Sequence, residues 1–145
     1  MQSIIAAVDF SDVTETQVDQ AARVARAFSA QLYLLHVLPP EPAFIGYAPG
    51  PGSVQETVEE AREANRRKVQ QYEEKLRSEG VQIEGITRQG PTVDTVMDEA
   101  TRVQADLLIV GSHGHGALFD LLLGSVSSGV LQHASCPVLV IPSNP

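Results

Sequence analysis

Between residues 111 and 130 the sequence reads GSHGHGALFDLLLGSVSSGV. Gly111 and Gly114 are followed, after nine intervening residues, by Gly124 and then by the hydroxyls of Ser125 and Ser127. Glycines at such places let a backbone come close to a ligand and take positive φ at little cost. Unpaired N–H groups at a helix start, together with the helix dipole, form an anion site. The stretch holds neither lysine nor arginine, so backbone amides, dipoles and neutral hydroxyls must supply the positive potential for a phosphate. The spacing is not that of a P-loop, which needs Gly-Lys-Ser/Thr, nor of the G-x-G-x-x-G dinucleotide fingerprint. Turn-forming glycines and helix-capping serines produce a similar pattern, and spacing alone leaves both readings open.

Few other residues invite chemistry. Asp9, at the end of the first apolar run, suits a ribose or metal partner, or a cap for the helix that follows. His113 and His115 are possible metal ligands without a clear third. His36, within an apolar run, and His133, near a helix end, read as structural. The single cysteine, Cys136, precludes an intrachain disulfide and reads as a small buried hydrophobe. No general base stands beside a nucleophile, and no Walker-type lysine is present.

These residues need a frame. SIIAAVDF, AQLYLLHVL, ADLLIVG and CPVLVIP are apolar runs of strand length. VQIEGITRQG alternates apolar and polar positions, as an edge strand with one solvated face does. Between the runs lie helical patterns. Thr14 to Ser29 carries Val18, Ala21, Ala22, Ala25 and Phe28 at helical spacing, with Asp12 and Glu15 as an expected capping box. Residues 53–79 form the longest helix, with Glu63–Arg67 and Glu73–Arg77 as i,i+4 pairs and Gly80 as its stop. TVDTVMDEATRV, entered through Pro91, and residues 125–134 complete the set. Residues 39–52, rich in Pro and Gly, read as a loop whose Phe44, Ile45 and Tyr47 suit covering a ligand or another subunit. Strand–helix alternation with doubly buried strands predicts an α/β fold, a parallel sheet with helices on both faces. Ligands of such sheets sit beyond the strand carboxyl ends, where strand order reverses. Asp9 and Gly111 both end strands.

The chain has 145 residues, 43% hydrophobic and 19% charged, with a formal net charge of −8. That suits one domain, 1–145. The charge argues against nucleic acid or an anionic membrane surface as partner. The basic run at 66–68 lies among acids and reads as a solvated helix face. No run reaches the roughly 18 apolar residues of a membrane span, and the start lacks signal-peptide features. A reducing cytoplasm is the expected location.

GSHGHGALFDLLLGS fits the G-x-x-G-x9-G-[S/T] signature of the ATP-binding universal stress proteins. AAVDFSD resembles that family's first strand and turn, and HASCPVLVIP its closing helix and strand. The resemblance implies a five-stranded parallel sheet of order 3-2-1-4-5, Rossmann-like, and a homodimer paired through Val138 to Ile141. It implies that Ala7, Val8 and Asp9 border the adenosine, with Asp9 on the ribose, and that the Val37 backbone meets the adenine. Val110, Gly111, His113 and Gly114 would wrap ribose and phosphates, and Gly124, Ser125, Val126 and Ser127 would hold the phosphate chain. Relatives often carry arginine where this sequence has His115 and a basic residue where it has Asp120. No lysine or arginine occurs from Val103 to Pro145. The expected ligand is therefore ATP with Mg²⁺ or a protonated His115 as compensation, or else ADP or AMP. Three functions follow: a nucleotide-responsive regulatory dimer of the stress response with an unidentified protein partner, a slow Mg²⁺-dependent ATP hydrolase or autophosphorylating protein, or a nucleotide-free interaction dimer.

Overall fold

The computed structural model describes residues 1–40, 53–112 and 125–143. Its elements alternate as expected: β1 (Ser3–Val8), α1 (Thr14–Phe28), β2 (Gln31–Leu38), α2 (Ser53–Ser78), β3 (Ile83–Gln89), α3 (Thr92–Arg102), β4 (Leu107–Gly111), α4 (Ser125–His133) and β5 (Val138–Ile141). The strands form one parallel sheet of order β3-β2-β1-β4-β5. The apolar runs become strands because their side chains are buried on both faces, and the period of two divides them. Ile4, Ala6 and Val8 of β1 join Leu32 and Leu34 of β2 in a core covered by α1 and α2. Ile5, Leu35, Leu108 and Val110 point the opposite way, into a core that includes Val96 of α3 and Val130 of α4.

Helix ends follow local chemistry. α1 stops at Ser29 in the left-handed conformation (φ 51°), and Gly80 (φ 87°) turns the chain after α2, where the Val81 N–H bonds the Leu76 carbonyl. Close packing of α4 on α3 depends on Gly129, where a Cβ would stand 2.8 Å from a Val93 methyl.

Three expectations need correction. Asp12 does not cap α1: the cap position is Val13, with no side-chain cap bond, because the preceding turn is closed by Asp9. Phe28 is 53% exposed, the buried stripe of α1 ending at Ala25. Glu63 pairs with Arg66 at 3.6 Å, one residue nearer than Arg67, whereas the Glu73–Arg77 pair forms as read. The loop at 39–52 lies outside the described residues apart from its first two prolines, which precede position 41. No described helix is long and apolar enough to cross a membrane.

Candidate functional site

Strand order reverses at β1. From there the chain steps outward to β2 and β3 on one side and, later, to β4 and β5 on the other. The β1–β4 register ends at Ala6↔Ile109, although each strand continues for two residues more. A crevice between diverging strands is the expected ligand position of this architecture. The free N–H groups in the first turn of α4 lie at the same end of the sheet as Gly111, because Ser127, in that turn, donates its hydroxyl hydrogen to the Gly111 carbonyl.

The pleat sorts the sequence-derived residues. Ala7, Val37 and Val126 are partly buried against the α3–α4 core, which also holds Val110. Gly111 ends β4 beside them, paired with Ile141. Val8 departs from this set: its side chain is buried in the opposite core, and its carbonyl accepts a hydrogen bond from His36 Nδ1 at 2.9 Å. Asp9 is exposed, and one carboxylate oxygen accepts the Ser11 N–H at 2.9 Å. Its other oxygen has no bonding partner among the described residues. Ser127 is 5% exposed, and with its hydroxyl hydrogen committed to Gly111 it offers a ligand chiefly its backbone amide. His113, Gly114, His115, Asp120 and Gly124 lie outside the described residues, as does the Ser125 side chain.

Behind Asp9, Phe10 takes a left-handed conformation (φ 60°), unusual for a bulky residue. Its ring is held 4.6 Å from His36 and 6.5 Å from Tyr72, with the Lys68 ammonium 5.2 Å from its centroid. That packing over-determines the strained turn and fixes where the chain carries Asp9. Facing a carbonyl, His36 Nδ1 must carry the proton; Nε2 is buried and has no partner among the described residues. Burial pushes the imidazole pKa below its ordinary value, against the opposing bond to Val8 and the charge of Asp9. His36 is thus a neutral, buried support, as its place in an apolar run suggests.

One residue escaped the sequence reading. Gln17 of α1 is 1% exposed, and its Nε2 donates to the Ala7 carbonyl at 2.7 Å and to the Ile109 carbonyl at 3.1 Å. It occupies the gap where β1 and β4 part. The available signal was its place in the apolar stripe of α1, next to Val18 and one turn before Ala21.

Among the described residues no group of three or more His, Cys, Asp or Glu side chains is placed to hold a metal ion. His133 is exposed, with Nδ1 against the Gly129 carbonyl at 2.8 Å, and Cys136 is half-buried, its thiol pKa raised by burial.

A family model described as the universal stress protein family matches residues 1–142. Universal stress protein A homolog 1 of Coxiella burnetii is 34% identical over 142 residues, covering 95% of this chain and 94% of its own length. A universal stress protein from Archaeoglobus fulgidus, solved in complex with dAMP, is 26% identical with a TM-score of 0.67, covering 97% of this chain and 98% of that one. A universal stress protein solved in complex with cAMP is 25% identical with a TM-score of 0.68, covering 99% and 98%.

Proposed function

The chain belongs to the universal stress protein family, and on that premise we propose that it is an adenine-nucleotide-binding regulatory protein of the stress response, acting as a homodimer. The observation that carries the reading is the parting of β1 and β4 at the reversal of strand order, where ligands of this architecture sit. Ala7, Val37, Val110 and Val126 give it an apolar flank, Asp9 stands exposed at its rim, and α4 begins at the same end beside Gly111. An apolar flank suits the base, a carboxylate suits ribose hydroxyls, and first-turn amides suit phosphate. The dAMP and cAMP complexes of its relatives support the same ligand class.

In this reading Asp9 accepts from the ribose through its second carboxylate oxygen, and the Val37 backbone meets the adenine. Val8 contributes only backbone, since its side chain is turned away. Val110, Gly111, His113 and Gly114 enclose the ribose and first phosphate, while Gly124, Ser125, Val126 and Ser127 hold the phosphates through amides. With no lysine or arginine after Arg102, a triphosphate needs Mg²⁺ as its counter-charge, whereas AMP does not. Ligand occupancy is read out by a protein partner or through the dimer, which pairs along Val138 to Ile141.

The test is to denature purified protein, identify released nucleotide by chromatography, and titrate the emptied protein with ATP, ADP and AMP, with and without Mg²⁺. Mg²⁺-dependent ATP binding supports an ATP-responsive switch, and preference for AMP supports an energy-charge sensor. No released nucleotide and no heat with any of the three overturns the reading in favour of a nucleotide-free interaction dimer.

A further inference from the structure

We propose that Gln17 is a positioning residue for the crevice: its buried amide ties the diverging ends of β1 and β4 and sets the gap between them. The inference rests on the nucleotide reading above and adds to it a residue that touches no ligand.

Ile109 is the last β4 residue in register with β1, and Ala7 is the first β1 residue beyond that register, so their carbonyls stand where the ladder ends. Water or a side chain must satisfy them, because a buried carbonyl without a partner is costly. Here one side-chain nitrogen serves both, donating to Ala7 at 2.7 Å and to Ile109 at 3.1 Å. Two short bonds from one nitrogen confine the distance between their acceptors. Water would satisfy the same carbonyls without confining anything.

Gln17 lies in the second turn of α1, its N–H bonded to the Val13 carbonyl at 2.9 Å, among buried Thr14, Val18 and Ala21. The glutamine is therefore held by a packed helix and cannot follow the strands if they move. Its two acceptors immediately precede Val8 and Val110, so the clamp fixes the backbone that leads to Asp9 on one side and to Gly111 on the other. Those are the two rims of the crevice. α1 thus acts as a brace, and its start, the end of β1 and the end of β4 form one unit.

Gln17→Met keeps the side-chain length and removes both donors. Emptied wild-type and variant proteins are titrated with AMP by calorimetry, alongside thermal unfolding. Displacing a binding rim by a fraction of an ångström to an ångström weakens binding by about tenfold or more, and that is the expected loss for Gln17→Met. Leu76→Ala serves as the comparison for general destabilisation. Leu76 is buried at the far end of α2, where its carbonyl receives the Val81 N–H ahead of β3. Its truncation lowers the unfolding temperature at least as much and leaves AMP affinity within about twofold. Equal affinity in wild type and Gln17→Met overturns the clamp and leaves the nucleotide reading standing. Equal weakening by Leu76→Ala also overturns it, since the effect is then one of stability. Wild type that binds no AMP, ADP or ATP overturns the nucleotide reading and the clamp with it. If Gln17→Met does not fold, Gln17→Asn decides: its amide is one methylene too short to reach both carbonyls, and unchanged affinity in that variant overturns the proposal.

Discussion

Along β3 two outward backbone groups are occupied by side chains of α2. The Gly85 N–H is taken by Glu73 Oε2 at 3.0 Å, and the Ile83 carbonyl accepts from Arg77 Nη2 at 3.0 Å. Both side chains come from α2, and they also pair with each other. Along β5 the alternation that sends Pro137 and Ile141 carbonyls to β4 turns Val138 and Val140 outward, and nothing among the described residues bonds their backbone. Leu139 is 36% exposed. An open edge is a template for another strand, and proteins block the edges they do not use. Among the described residues the sheet thus has one edge partly covered by an ion pair and one without side-chain partners. The difference supports β5 as the pairing edge of the proposed dimer, and it gives the Glu73–Arg77 pair a task beyond helix stabilisation. The closed edge depends on Gly85, where a Cβ would lie 2.7 Å from both Glu73 Oε2 and a Val69 methyl.

The sharpest way to break the comparison is Val140→Pro. It removes an outward N–H while sparing the β4–β5 ladder, which uses the alternate residues. The dimer dissociation constant is expected to rise about 100-fold or more, read by sedimentation equilibrium, with circular dichroism unchanged. A dimer that survives intact would place its interface elsewhere. Next in size is Gly85→Ala, which forces α2 off the edge and costs about 1–3 kcal/mol in chemical denaturation. Light scattering should then show growth beyond the dimer, because two open edges permit chains.

Acid tests the same asymmetry more gently. His36 pairs in register with Thr87 of β3, and its ring packs with Phe10 on the α2 side. Its pKa is lowered mainly by burial, so the unfolded chain binds the proton more readily than the folded one. Stability from the neutral ring is therefore complete above the ordinary value of 6.5 and is lost as pH falls below it. The loss is expected to show as faster amide exchange at Gly85 before β5 is affected, and to be absent in His36→Asn. The smallest effect belongs to Arg26→Ala. Arg26 pairs with Glu79 at 3.0 Å, both side chains 43% exposed, and neither reaches a strand edge. Its removal should cost less than about 0.5 kcal/mol in the same denaturation assay.

What the sequence made legible was what local pattern can carry. Apolar runs such as SIIAAV and LLIVG announced doubly buried strands, and Gly80 announced a helix end. Strand order came from the family resemblance, because periodicity says which segments are strands and not which are neighbours. The residues that were missed act across long sequence separations. Gln17 looked like one more polar helix position until β4, some ninety residues on, supplied its second acceptor. Gly85 fitted an ordinary alternation, and only the approach of Val69 and Glu73 shows why a side chain is excluded there. Asp12 was the plausible cap by spacing, yet Asp9 closes the turn first. The candidate site divides similarly: Ala7, Val37 and Val110, named at strand ends, share the α3–α4 core, while the side chain of Val8 goes to the opposite core by pleat parity.

The central place of β1 also bears on the order in which the chain is assembled. β1 meets β2 after a loop of about thirty residues, but must wait about a hundred for β4, and closing the longer loop costs more entropy. On a growing chain β1, β2 and β3 with α1 and α2 can collapse as a unit while one flank of β1 is still bare. The gap between β1 and β4 exists only once β4 arrives, and the first turn of α4 follows later still, so under the proposed function a nucleotide would recognise only chains whose synthesis has passed Ser127.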